Sequence, residues 1–168
     1  MRGARRPAAA APSGYSGTPL AKKLGIGAGC RLRLLAAPPN YAALVAPLPA
    51  GVRLVRRSGA DADLIHVFAT RRVELERALR SSLAAMRADA VLWVSWPKKS
   101  SGLASEITED TVRELALPLA LVDIKVCAVD DTWSGLKLVV RKEARGAWPW
   151  RERAAARPAS PARTRRRP

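Results

Sequence analysis

The sequence predicts an α/β protein, a three-layer sandwich built on a mostly parallel sheet and finished by a C-terminal antiparallel hairpin. Three observations carry that expectation. Short apolar runs at 32–37, 52–56, 64–69 and 91–96 are separated by helical patterns or turn signals, the order of a sheet with crossover connections. The run 64–69 is apolar on both faces, as in a strand covered by helices on each side. The last two runs, 121–129 and 136–141, are joined only by 130–135, a link short enough for a hairpin.

Along the chain, Thr18 as N-cap, Pro19 in the first turn and Gly25 as the stop frame a short leading helix. The first strand, 32–37, is stopped by Pro38-Pro39, and 41–46 follows as a short helical turn. The second strand, 52–56, is entered through Gly51 and left through Ser58-Gly59; the third is 64–69. Thr70 caps a helix running to about Arg87. Its Leu75, Leu79, Leu83 and Met86 form one apolar stripe, and Glu76 and Arg80 pair on the exposed side. The fourth strand, 91–96, ends at Pro97. Thr108 is the clearest N-cap in the chain. Glu109 and Asp110 follow it, where the helix dipole favours anions, and Ile107 and Val112 stand at the positions of a hydrophobic staple. Pro118 stops that helix near Leu117.

The 168 residues suit one domain, expected over 14–143 between basic tails at 1–13 and 144–168. Residues 1–19 and 144–168 supply +10 of the formal +16 and seven of the thirteen prolines. Such Ala/Pro/Arg-rich segments bury too little apolar surface to offset chain entropy, so both tails are expected to be disordered. They either attract nucleic acid weakly and non-specifically, with Trp148 and Trp150 available to stack on bases, or are plain solvated tails. No apolar run approaches the roughly 18–20 residues that span a bilayer. The arginine-rich start lacks the apolar stretch of a secretory signal, although its shortage of acids resembles a transit peptide. A cytoplasmic protein without membrane contact is expected. Two cysteines about a hundred positions apart make no disulfide framework, and a single histidine with them makes no standard zinc site. Neither a metal nor a cofactor is expected.

The order strand, helix, strand, helix, antiparallel hairpin resembles the second half of the class I S-adenosylmethionine-dependent methyltransferases, a Rossmann-like fold. That resemblance implies a glycine-rich cofactor loop after the first strand and an acidic ribose-binding residue at the end of the second. Here the first position reads Leu34-Leu35-Ala36-Ala37-Pro38-Pro39-Asn40-Tyr41, without glycine, and Arg56-Arg57 stand at the second. Gly25, Gly27 and Gly29 form a G-x-G-x-G run, but before the first strand rather than between a strand and a helix, where dinucleotide binding needs it. At motif level, the run from Ser13 through Gly17-Thr18-Pro19-Leu20-Ala21-Lys22-Lys23-Leu24-Gly25 resembles a small bacterial family. So do Leu92-Trp93-Val94-Ser95-Trp96-Pro97-Lys98-Lys99 and Val126-Cys127-Ala128-Val129-Asp130-Asp131-Thr132-Trp133-Ser134-Gly135-Leu136-Lys137. The family is catalogued as a domain of unknown function, number three thousand and fifty-two in its series. The resemblance covers about 13–143 and implies no particular reaction.

In an open α/β sheet, ligands bind at the carboxyl ends of the parallel strands, where 38–41, 70–72 and 96–101 should meet. Trp96 beside Lys98 and Lys99 could hold an anionic planar ligand; the plainer alternative is a core tryptophan followed by a solvated loop. Tyr15, Ser16 and Thr18, followed by Lys22 and Lys23, could bind an anion through backbone N–H groups, or form an ordinary capped helix. Asp130, Asp131, Trp133 and Ser134 could be a metal or general-base site, though Asp, Ser and Gly are also what a turn needs. His66, on the Leu64/Phe68 face, reads as a core histidine, and Cys127 as a small buried apolar residue. No catalytic residues assemble into a motif. The expected function is a non-catalytic Rossmann-like module that binds a small anionic ligand or a protein partner. A divergent transferase using Lys98, Lys99 and the Asp130/Asp131 loop is the alternative, and a nucleic-acid-associated protein acting through its tails is the second.

Overall fold

In a computed structural model of the chain, which describes residues 17–56 and 62–148, three strands lie side by side and parallel: β1 (Arg31–Leu35), β3 (Ala62–Phe68) and β4 (Met86–Pro97). β2 (Arg53–Leu54) adds a two-residue edge beside β1. β5 (Leu121–Ala128) and β6 (Trp133–Val140) complete a sheet of order β2-β1-β3-β4-β6-β5. β6 runs antiparallel to both of its neighbours, so it alone is reversed. The expected Rossmann-like sandwich is present, with one refinement: the second strand of the hairpin is inserted beside β4, and β5 forms the edge.

Directly opposite residues of an antiparallel pair share a face, so the register assigns the two sides of the sheet. Leu92, Leu138 and Asp123 make one row across β4, β6 and β5, under α3 (Arg72–Leu83) and α4 (Glu109–Ala116). Trp93, Lys137 and Lys125 make the neighbouring row on the other face. Among the described residues, the helices on that second face are α1 (Leu20–Leu24) and α2 (Tyr41–Leu44), five and four residues long. Two cores result. Ile65, Leu75, Leu79, Leu92 and Val94 fill the α3/α4 side, and Leu24, Leu32, Tyr41, Phe68 and Trp93 fill the other. Trp93 is fully buried and donates its indole N–H to the Leu24 carbonyl at 2.8 Å, which anchors α1 to the sheet. Removing a ring of that size from water contributes about 5 kcal/mol.

Helix ends follow local chemistry in two cases and depart from it in two. Thr108 caps α4 in a reciprocal box with Thr111, and Ile107 and Val112 are both buried beneath it. Gly25, at φ 84°, closes α1, with Gly25 N–H bonded to the Lys22 carbonyl and Ile26 N–H to that of Ala21. Thr18, however, is not the cap of α1; Pro19 holds that place without any side-chain bond. Nor does Thr70 cap α3. Arg71 precedes that helix, and the carboxylate of Glu106 accepts the Arg72 N–H at 2.8 Å from far along the chain. α3 ends at Leu83 rather than near Arg87, because Met86 already pairs with Ala62 in the sheet.

The expected boundary at 143 falls inside a 3-10 helix, Lys142–Ala147. Behind it Trp148 packs on the α3/α4 core and donates its indole N–H to the Met86 carbonyl at 2.9 Å. The tail at 1–13, Tyr15 and Ser16, and 149–168 with Trp150 lie outside the described residues. Among the described residues no helix is long and apolar enough to cross a membrane.

Candidate ligand site at the carboxyl edge of the sheet

Because β1, β3 and β4 are adjacent and parallel, the three segments 38–41, 70–72 and 96–101 leave the same edge, as expected. The reversal of β6 brings the 129–132 turn there as well. The loop after β4 is tied on both sides. Lys98 N–H donates to the Thr132 carbonyl at 2.7 Å, and Glu106 N–H to the Thr70 carbonyl at 2.8 Å. Lys98 is half-buried and Lys99 exposed, the latter opening the 3-10 turn Lys99–Ser101, where the Ser101 hydroxyl donates to the Lys98 carbonyl at 2.7 Å.

Trp96 does not stand beside these lysines as a ligand surface. It is 8% exposed and packs in the core on the α3/α4 face. The aromatic at the edge is Trp133, half-buried, paired across the strands with Pro97 and packed edge-on to Phe68 with ring centroids 5.0 Å apart. Trp133 and Trp96 are cross-strand neighbours one step apart, and the strand alternation sends them to opposite faces.

The hairpin turn holds no assembled acid pair. Asp130 Oδ1 accepts the N–H groups of Thr132 at 2.8 Å and Trp133 at 2.7 Å, an Asx turn, while Asp131 is exposed. Ser134 sits on β6 opposite Trp96, on the face away from Trp133. Among the described residues no group of three ligating side chains could hold a metal ion. Of the leading-helix residues that are described, Thr18 makes no cap, and Lys22 and Lys23 occupy the last turn of α1 rather than its start.

Beneath the edge lies a buried polar chain. Tyr41 Oη is 3.0 Å from His66 Nδ1, and His66 Nε2 is 2.7 Å from Ser95 Oγ. Burial pushes the His66 pKa down to about 3, so the ring is neutral, and pushes the Tyr41 phenol up. His66 is the core histidine expected from its place in the strand. Its two partners were not legible, since they come from α2 and β4; the only local signal was an inward-facing polar residue in an apolar run. Cys30 and Cys127 are free thiols whose pKa values burial raises, which leaves neither activated as a nucleophile.

No family model and no curated protein matches the chain. Among solved structures it is similar to an S-adenosylmethionine-dependent methyltransferase from Aquifex aeolicus, at 12% identity and a TM-score of 0.53, over 72% of this chain and 88% of that one. It is also similar to TrmN from Thermus thermophilus, at 10% identity and a TM-score of 0.49, over 73% of this chain and 47% of that one. The first likeness shows a methyltransferase-like Rossmann fold.

That fold implies S-adenosylmethionine, and the residues present do not fit it. Pro38 and Pro39 carry no N–H to offer a ligand. Ala36 takes the left-handed φ of 53° that glycine would supply, but keeps its Cβ where a backbone would have to approach closely. An exposed Arg56 follows β2 where a carboxylate is implied.

Proposed function

We propose that this chain is a divergent, transferase-like Rossmann protein that binds a small anionic ligand at the carboxyl edge of its sheet, with Lys98 and Lys99 as the ligand's charge partners. The observation that carries this reading is the fixed position of the lysine loop. Its backbone is bonded to the β5–β6 turn at Lys98 and to the β3–α3 connection at Glu106, which supports Lys98 and Lys99 as charge partners at the edge where this architecture binds ligands. The methyltransferase-like fold supports the transferase class, without supporting that family's cofactor. The reading goes with a bacterial, cytoplasmic protein and with the small family its motifs resemble.

A non-catalytic module, taking the anion or a protein partner at the same edge, is favoured by one specific observation. Asp130 is committed to its turn and His66 is sealed in the core, so neither is offered to a reacting group. Calorimetry of the full chain against inorganic phosphate and a panel of nucleotides and anionic metabolites tests the site. Saturable binding of at least one of them is expected, and its loss in Lys98→Ala/Lys99→Ala with an unchanged unfolding midpoint. Binding undiminished in that variant, or none by the parent chain, overturns the proposal. Conversion of the bound molecule, followed by mass spectrometry, separates the transferase from the module.

A further inference from the structure

Among the described residues, ion pairing is sorted by side-chain type. Every ion pair uses an arginine, and the carboxylates involved are Glu74 and Glu76 of α3, Glu109, Asp110 and Glu114 of α4, and Asp63, Asp89 and Asp123 of the strands. None of the seven lysines has a carboxylate within ion-pair distance among the described residues. Three of them gather on the thinly covered face. Lys125 and Lys137 stand directly opposite each other on β5 and β6, and Lys125 Nζ lies 5.9 Å above the Trp93 ring. Burial raises the Cys127 pKa, and the charges of Lys125 and of Lys23, on the last turn of α1, oppose it, so Lys23 lies on the Cys127 side of the sheet. Like charges directly opposite on neighbouring strands destabilise a sheet. Here no acid of the described chain offsets them.

We propose that this face is a nucleic-acid surface, with Lys23, Lys125 and Lys137 each taking a backbone phosphate. Ammonium groups without carboxylate partners act as point charges and suit phosphate contacts that do not depend on base sequence. Beside them runs a row of half-buried valines, Val91, Val139 and Val122, on the same face, a flat apolar strip against which sugars and bases can lie. The excess of +16 over the chain adds long-range attraction for a polyanion. This surface lies on the sheet face, apart from the carboxyl-edge lysines.

Fluorescence anisotropy of a labelled oligothymidine with the full chain, over a series of salt concentrations, tests it. If three contacts are lost, Lys23→Gln/Lys125→Gln/Lys137→Gln should lower the slope of log K against log salt by about 2 and weaken binding about tenfold or more. Its unfolding midpoint should not fall. Should the triple variant fail to fold, the exposed Lys125→Gln alone should lower the slope by about 0.7. A second variant, with Arg163, Arg165, Arg166 and Arg167 changed to Gln, should still respond to the lysine substitutions. A slope untouched by the lysine changes, binding abolished by the arginine changes alone, or binding to phosphatidylserine vesicles without binding to the oligonucleotide overturns the proposal.

Discussion

His66 Nε2 lies 2.7 Å from Ser95 Oγ, a bond between β3 and the carboxyl-terminal part of β4 that no solvent reaches. The opposite ring nitrogen meets the Tyr41 hydroxyl, so the same imidazole also holds α2, the helix entered from the loop at the carboxyl edge. The chain's single histidine thereby fastens the floor of the candidate site to its rim.

Acid stability should report this histidine alone over a defined window. Unfolded, His66 takes a proton near pH 6.5; folded, it does not until about pH 3. The unfolded state therefore binds more protons between those values, and stability rises with pH across the window and is lost as pH falls. Chemical denaturation at pH 5 and at pH 7 should differ by about 2 kcal/mol, before the carboxylates begin to titrate. A flat profile between those two points would mean that the ring is not sealed from water.

Gly135 should refuse a methyl group. A Cβ there would stand 3.2 Å from Ser95 Oγ, 3.2 Å from Val129 Cγ2 and 3.3 Å from Trp93 Cε3. Gly135→Ala is expected to cost about 1–3 kcal/mol by overpacking. Gly27, with nothing within 4 Å and no left-handed backbone, should accept alanine within about 0.5 kcal/mol. Equal costs at the two positions would show that packing around Gly135 is looser than these distances.

S-adenosylmethionine should not bind saturably at low micromolar concentration, and Ala36→Gly should not create binding, because Pro38 and Pro39 still withhold their N–H groups. The same substitution relieves a left-handed L-residue worth about 1–2 kcal/mol, less the glycine entropy of about 0.5–1 kcal/mol. A net gain of up to about 1.5 kcal/mol in denaturant unfolding is expected. Tight cofactor binding by either protein would reverse the reading of this loop.

Trp148→Ala should lower stability by about 2 kcal/mol, since the ring is partly buried against the core and bonded to Met86. Lys142→Ala, exposed on the preceding turn, should change it by no more than about 0.5 kcal/mol. A neutral tryptophan substitution would return the end of the domain to the boundary that composition suggested.

What the sequence revealed was chemistry that acts within a few residues. The cap at Thr108, the stop at Gly25, the turn at Asp130 and the alternation that turns His66 inward all depend on near neighbours, and each stands as read. What it hid was supplied from far along the chain. The cap of α3 is the carboxylate of Glu106, thirty-four positions beyond the N–H it accepts. That Trp96 packs in the core while Trp133 stands at the edge was hidden because the two-fold alternation fixes which residues share a face, not which face the helices will cover. A hairpin is likewise recognised by its link, and nothing in the link tells which of its strands will join the sheet.

The insertion of β6 gives the order of assembly an unusual dependency. β5 leaves the ribosome first, yet its hydrogen-bonded neighbour in the sheet is β6, which does not exist until the chain has turned at Asp130. A nascent chain that stops at residue 130 therefore lacks two strands of sheet, not one: the strand still to be made, and the finished strand with nothing to hold. Until that last strand slides in beside β4, the long apolar side of β4 is an open edge, so the final eight-residue strand both seals the core and protects the unfinished molecule from its own copies.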